Sequence, residues 1–165
     1  MKKHLTVLAL AMVSSLTFAA PSAAAPSLAI LAQSGALCYS AHVTVNNKTD
    51  VSLSKQAEAI LSKTLNGLAL SAKQYDAADT CTRQLVFDFG IDNAGAPTIY
   101  NDELRLETYG ATEGSTDLKR AIIWTDGYWG GDVKVLSAAA FTKKMLDQLG
   151  QLLPKFTADY RSVVK

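Results

Sequence analysis

The sequence predicts an α+β fold, a two-layer sandwich in which a mainly antiparallel sheet of about four strands carries two helices on one face. Two stretches alternate strictly between apolar and polar residues, which predicts strands with one buried and one solvated face. Two other stretches place apolar residues at spacings of three and four, which predicts amphipathic helices. The order is strand, helix, three strands, helix, and helices that bury a single stripe cover such a sheet on one side.

The pattern of residues 1–24 predicts a secretory signal peptide. Lys2 and Lys3 precede the apolar run "LTVLALAMV", and small residues follow it. The run is too short to span a bilayer, and the small residues allow cleavage after Ala19 or Ala24. We therefore expect an exported protein, periplasmic or secreted.

The rest of the chain predicts a flexible leader over residues 25–36 and a single α+β domain over residues 37–165. A hydrophobic content of 48% with 19% charged residues is an ordinary globular composition. No later segment has the length and apolarity of a membrane helix, so we expect no membrane insertion of the mature chain.

Cys38 and Cys81 are the two cysteines of the chain. An exported chain meets an oxidising compartment, and each cysteine has only the other as a partner, so we expect a disulfide between them. A redox role is disfavoured because the two residues do not form a CxxC pair. The bond is expected to be a structural staple.

The charge balance makes nucleic acid a poor partner, so we expect none. Loss of Lys2 and Lys3 leaves 14 basic against 15 acidic residues, a net charge of −1, so no basic surplus exists to contact phosphates. Residues 76–117 are acidic, whereas the chain from Leu118 onward is basic. Either a basic helix packs near an acidic sheet, or an acidic face meets a cationic partner.

The first half of the domain predicts a strand and a helix. "LCYSAHVTV" alternates over residues 37–45 and ends at the turn signal Asn46-Asn47. Ser52 is a plausible N-cap for a helix that stops at Asn66-Gly67. Residues 68–74 predict a short extended segment.

The second half predicts three strands and a long helix. The strands cover residues 83–92, 98–109 and 119–125, separated by "DNAGAP" and "GATEGSTD". In the middle strand, leucines alternate with Glu103, Arg105 and Glu107. Ser137 can cap the final helix, in which Pro154 should cause a kink.

The segments "SKQAEAILSKTLNGLALSAKQYDAADTCTRQLVFDFGID", "ELRLETYG" and "AIIWTDGYWGG", followed by an amphipathic helix, carry a family resemblance. Over about Val43 to Phe156 the order of elements is similar to the amino-terminal domain of the Tol translocation protein and to penicillin-binding-protein activator lipoproteins. The lipid-bearing cysteine of that group is missing, and the two cysteines are not one of its features. The resemblance implies a non-enzymatic binding or adaptor module.

Few residues are arranged for catalysis. His42 lies in an alternating strand, which favours a structural role, and no Gly-x-Ser-x-Gly elbow or phosphate-binding glycine loop is present. One histidine in the mature chain argues against a zinc or copper site, and no cofactor is indicated. Several aspartates could converge on a calcium site or an acid pair, although turns and solvated faces explain them more simply. They are Asp76, Asp79, Asp88, Asp92 and Asp126.

The stretch "WTDGYWGGDV" is the best functional candidate. Trp124 continues a strand into the core or the sheet surface, and Asp126-Gly127 is a tight-turn dipeptide. In the loop 126–131, Tyr128 and Trp129 either close the core or form a contact surface, since aromatic residues are preferred interface anchors.

Together these patterns favour an exported, non-catalytic binding or adaptor protein of the bacterial cell envelope, whose partner is an envelope protein or a cell-wall component. The candidate contact residues are Tyr128, Trp129, Asp126, Asp88 and Asp92. Two alternatives stay open. One is a small secreted enzyme that uses paired carboxylates on a glycan, and the other is an inhibitor of a secreted hydrolase with a protruding rigid loop.

Overall fold

A computed structural model of the protein describes residues 28, 31, 36–77, 81–111 and 118–163. The fold is α+β, as predicted, with two helices and a sheet of six strands. The strands are β1 (Leu37–Val45), β2 (Lys48–Thr49), β3 (Ala72–Gln74), β4 (Arg83–Asp92), β5 (Thr98–Ala111) and β6 (Leu118–Asp132). The helices are α1 (Val51–Gly67) and α2 (Ala138–Val163).

The sheet is mixed, which corrects the prediction of a mainly antiparallel sheet of about four strands. Its order is β2-β1-β4-β5-β6, and β3 pairs with β1. β1 runs parallel to β4 along its whole length, and β3 also runs parallel to β1. Helix α1 is a crossover that carries the chain back to the end of the sheet where β1 begins. The next long strand, β4, therefore runs in the same direction as β1. The β4–β5–β6 meander is antiparallel, as predicted.

Helix α1 begins earlier in the chain than the sequence predicted. Its N-cap is Asp50 rather than Ser52, and the Asp50 carboxylate accepts a hydrogen bond from the Leu53 N–H at 3.0 Å. The hydroxyl of Ser54 donates to the Asp50 carbonyl and accepts from the Val43 N–H. These bonds fix the start of α1 against β1.

Helix α2 begins as predicted after Ser137, whose hydroxyl accepts from the Ala140 N–H at 3.3 Å. The helix continues through Pro154 to Val163. Its buried stripe includes Met145, Leu149 and Phe156. None of the helices in the described ranges is long and apolar enough to cross a membrane.

One hydrophobic core lies between the two helices and one face of the sheet. β4 contributes the alternating residues predicted for its buried face, Leu85, Phe87, Phe89 and Ile91. Leu28 and Leu31, within the predicted leader, also lie in this core, whereas the other residues of 25–35 lie outside the described residues. Neither α1 nor α2 covers the opposite side of the sheet, which is called the open face.

The disulfide predicted between Cys38 and Cys81 is present. The two Cα atoms lie 5.9 Å apart, within the usual range for a disulfide. The bond joins the start of β1 to the residue that leads into β4. It therefore ties together the two parallel strands at the centre of the sheet.

Candidate functional site

The predicted loop over residues 126–131 is not a loop. β6 continues through it to Asp132 and pairs with β5 in register, so Trp129 lies opposite Asn101 and Gly127 opposite Glu103. Gly127 permits this close approach because a Cβ there would lie 2.5 Å from the Asp102 carbonyl oxygen. The Asp-Gly dipeptide is therefore a point of tight strand packing rather than a turn.

The aromatic residues of this stretch separate by strand alternation. Trp124 faces the helices, is 3% exposed and packs edge-on against Phe156 at 5.3 Å. Its indole N–H donates to Asp159 at 2.9 Å. Trp124 is thus a core residue.

Tyr128 and Trp129 are both exposed, at 54% and 76% of their surface, so neither closes the core. Tyr128 lies on the helix side of β6, where its ring stacks on Tyr100 at 6.4 Å. Lys144 of α2 lies over the Tyr100 ring, 4.3 Å from its centroid. Trp129 points to the open face, so the two aromatics belong to different surfaces.

A depression of about 520 Å³ lies over Gly127 on β6. Gly127 has no side chain. Its neighbours on the same face of the sheet are Thr125 and Trp129 on β6 and Asn101 and Glu103 on β5. These four side chains form the walls of what is called the Gly127 cradle. The residues between them, Asp102, Asp126 and Tyr128, also line it.

The carboxylate wall of the Gly127 cradle is held in place by hydrogen bonds. Glu103 accepts from the Thr125 hydroxyl at 2.9 Å with one oxygen and from Arg105 at 2.9 Å with the other. Arg105 also pairs with Asp88 and Glu107. Burial would lower the pKa of Arg105, but the hydrogen bonds to Glu107 and Asp88 outweigh it and raise that pKa above its ordinary value.

A second layer of polar contacts continues from Glu107, which is only 1% exposed. Glu107 accepts from the Tyr109 hydroxyl at 2.7 Å and pairs with Arg120 at 3.3 Å. Burial and then the hydrogen bond to Glu107 raise the pKa of Tyr109 to about 12. The Gln84 amide contacts Tyr109 and donates to Ser40, so the network spans β1, β4, β5 and β6.

The predicted candidate aspartates do not converge. Asp88 lies on the open face in the Arg105 network. Asp92 is exposed at the end of β4 and accepts from the Ala94 N–H at 3.2 Å, which is turn chemistry. Asp126 forms an ion pair with Lys155 of α2 at 2.7 Å, an instance of the basic helix packing near the acidic sheet. Asp76 lies after β3, and Asp79 is outside the described residues.

His42 is exposed on the open face, and its Nε2 lies 3.4 Å from the Ser40 hydroxyl. Ser40 is 4% exposed and accepts from the Gln84 amide, so its hydroxyl faces the interior of the network. Asp88 on β4 is paired with His42 on β1, but its carboxylate accepts a hydrogen bond from Arg105. The three residues are adjacent but are not connected as a hydrolytic triad.

Asp102 is a buried carboxylate that the sequence did not single out. It is 3% exposed, and neither oxygen has a hydrogen-bond partner among the described residues. Burial raises its pKa from 3.8 to about 6, while the Tyr128 N–H opposes this without forming a full hydrogen bond. Asp126 raises the pKa further and Lys155 lowers it.

No group of three or more His, Cys, Asp or Glu side chains in the described ranges could hold a metal ion. No protein-family model matches the chain, and no curated protein matches it. Its function is therefore inferred from the geometry of the site.

Proposed function

We propose that this chain is an exported, non-catalytic binding or adaptor protein of the bacterial cell envelope, and that it holds its partner on the open face of the sheet around Trp129. The observation that carries the proposal is the 76% exposure of Trp129 on β6, the strand at the edge of the sheet. A tryptophan placed in water buries a large area when a partner covers it, so tryptophan is over-represented among the residues that dominate binding energy.

The surroundings of Trp129 support a built surface rather than a stray apolar residue. Ile99 lies on the same face, two residues before Asn101 on β5, and is 48% exposed. Arg105 and Glu103 lie beyond Asn101 in a network whose geometry is set before any ligand arrives. Preorganised side chains lose little entropy on binding, which favours affinity.

Two features support export of the chain. The basic and apolar leader predicts secretion, and the Cys38–Cys81 disulfide is the kind of bond that persists in an oxidising compartment. The similarity in element order to envelope modules agrees with an adaptor role. The aromatic stretch lies in β6, so it does not form the protruding loop that a hydrolase inhibitor would use.

A pull-down tests the proposal. Mature wild-type protein and the Trp129→Ala variant are immobilised and exposed to envelope extract, with Val133→Ala as the matched control because Val133 is 82% exposed close to the end of β6. Trp129→Ala should lose a partner that wild type and Val133→Ala both recover. Equal recovery by all three proteins would remove the open face around Trp129 as the contact surface.

An enzyme with paired carboxylates is the second candidate, and the neighbouring Asp102 and Asp126 favour it. One carboxyl group has a pKa raised to about 6, and the other is paired with Lys155. A carboxyl group that keeps its proton near neutral pH could act as an acid beside a second carboxylate. Release of soluble sugars from a cell-wall glycan by wild type, abolished in Asp102→Asn, would establish this candidate in place of the first.

A further inference from the structure

We infer that the ligand held at Trp129 is a neutral glycan chain, one of whose sugar rings stacks on the indole and occupies the Gly127 cradle. This inference deepens the proposed function and rests on it. It commits to the chemistry of the ligand, uncharged pyranose rings, rather than to the cell-wall polymer from which they come.

The shape around Trp129 suits a flat ring. The same-face neighbours of Trp129 on β6 are Gly127 and Gly131, so no side chain on its own strand rises beside the indole. Across the sheet, Asn101 separates Trp129 from Gly90, and the Asn101 side chain leans over that glycine. A Cβ at residue 90 would come within 2.6 Å of the Asn101 Oδ1. The indole ring of Trp129 therefore rises above a surface formed by the backbone of these glycines.

A sugar ring has the complementary surface. One face of many pyranoses carries only C–H groups, whose hydrogens are slightly positive and whose surface is apolar. The face of an aromatic ring is slightly negative, so the two surfaces attract each other while they exclude water. A peptide side chain could also cover the indole, but it would leave the polar walls of the cradle without partners.

Those walls present the groups that bind hydroxyls. Asn101 offers an amide that both donates and accepts, and Thr125 and Glu103 offer acceptor oxygens. The Thr125 hydroxyl hydrogen is already directed to Glu103 at 2.9 Å, which leaves the lone pairs of the Thr125 oxygen available as acceptors. The volume of about 520 Å³ lies within the ~300–1,000 Å³ common for small-ligand sites.

The charge balance of the Arg105 network disfavours polyanions and metal ions as ligands. The network joins three carboxylates to two guanidinium groups, which leaves it close to neutral with a slight negative excess. The residues are Asp88, Glu103, Glu107, Arg105 and Arg120. A polyanion would meet this excess, since Arg105 and Arg120 already pair with carboxylates of the network. A metal ion would find no cluster of ligands among the described residues. A neutral, hydroxyl-rich ligand matches these surroundings.

Calorimetric titration of the mature protein tests the inference. The probes are N-acetylchitotetraose and maltotetraose as neutral chains, with tetragalacturonate as an acidic chain of equal length. We expect at least one neutral chain to bind with a Kd of about 0.1–1 mM and the acidic chain to bind at least ~10-fold more weakly. Trp129→Ala should weaken the neutral chain by ~10-fold or more.

Val133→Ala is the matched control, since Val133 is 82% exposed just after β6, does not line the Gly127 cradle, and its loss should change the affinity by less than ~2-fold. Folding of each variant is checked by the fluorescence of Trp124, which is buried in the core. Failure of both neutral chains to bind at about 10 mM, or equal binding by Trp129→Ala, would overturn the inference. If the pull-down still shows a Trp129-dependent partner, the proposed function stands and only the glycan assignment falls.

Discussion

Arg105 donates a hydrogen bond to Glu107, two residues along the same strand, and Glu107 is 1% exposed. The same guanidinium group reaches Asp88 and Glu103. One side chain therefore pairs with three carboxylates and fixes Glu103, which forms a wall of the Gly127 cradle. Removing it should disturb both the stability of the sheet and the shape of the site.

Arg105→Met should lower the free energy of unfolding by about 3 kcal/mol, because the buried Glu107 carboxylate loses its ion pair with Arg105. Urea unfolding measures the change. Arg120→Met is the matched control, since Arg120 is 55% exposed and its ion pair with Glu107 should contribute only about 0–1 kcal/mol. Equal losses in both variants would contradict the central role of Arg105.

Asp102→Asn should stabilise the protein at neutral pH. Because burial raises the pKa of Asp102 to about 6, the folded state keeps a proton that the unfolded state releases near 3.8. The stability from this carboxyl group is therefore fully present below about pH 3.8 and is lost as the pH rises through about 6. We expect a gain of roughly 1–2 kcal/mol at pH 8, discounted for solvent screening, and a flatter pH profile.

Thermal unfolding between pH 4 and pH 8 measures this effect. Asp92→Asn serves as the control, because Asp92 is exposed and its amide replacement can still accept the bond from Ala94. A variant at residue 102 that is less stable than wild type at pH 8 would show that the charged carboxylate is needed.

Gly127→Ala should destabilise the fold by about 1–3 kcal/mol, since its methyl group would lie 2.5 Å from the Asp102 carbonyl oxygen of the paired strand. Gly110→Ala is the control in β5, where a Cβ would meet nothing within 4 Å, and should be neutral or stabilising by up to ~1 kcal/mol. Chemical denaturation of the two variants distinguishes strand packing from a turn. Similar effects would mean that β6 does not approach β5 as described.

Joint replacement of Cys38 and Cys81 by serine should cost about 4 kcal/mol, because the disulfide closes a loop of 43 residues in the unfolded chain. Wild type treated with a reductant should fall to the melting temperature of the variant, whereas the variant should not respond. A reductant that leaves the wild-type melting temperature unchanged would contradict a stabilising disulfide.

Much of the fold could be predicted from periodicity. The alternation in β4 and β5 and the stripe of α2 identify the core, because burial imposes a period of two on strands and 3.6 on helices. The parallel pairing of β1 with β4 was missed, since alternation shows which face is buried but not which strand lies beside it. A crossover helix between two strands is the local signal that could have indicated it.

The candidate site was predicted less well. Asp126-Gly127 resembles a turn dipeptide, and only the pairing with β5 reveals that Gly127 is needed for close packing. The alternation of Glu103, Arg105 and Glu107 placed these residues on one face, but their joining with Asp88 depends on strand order. Asp102 lies on the same face of β5 as Leu104 and Leu106, so the alternation of this strand could have indicated its burial.

Acrylamide quenching of Trp129 in a Trp124→Phe variant tests the central claim most directly, because Trp129 is then the only tryptophan in the chain. The free protein should show the strong quenching of a side chain that is 76% exposed. Addition of N-acetylchitotetraose or maltotetraose should protect the indole as a sugar ring stacks on it. Quenching that stays unchanged with both oligosaccharides would contradict a glycan bound at Trp129.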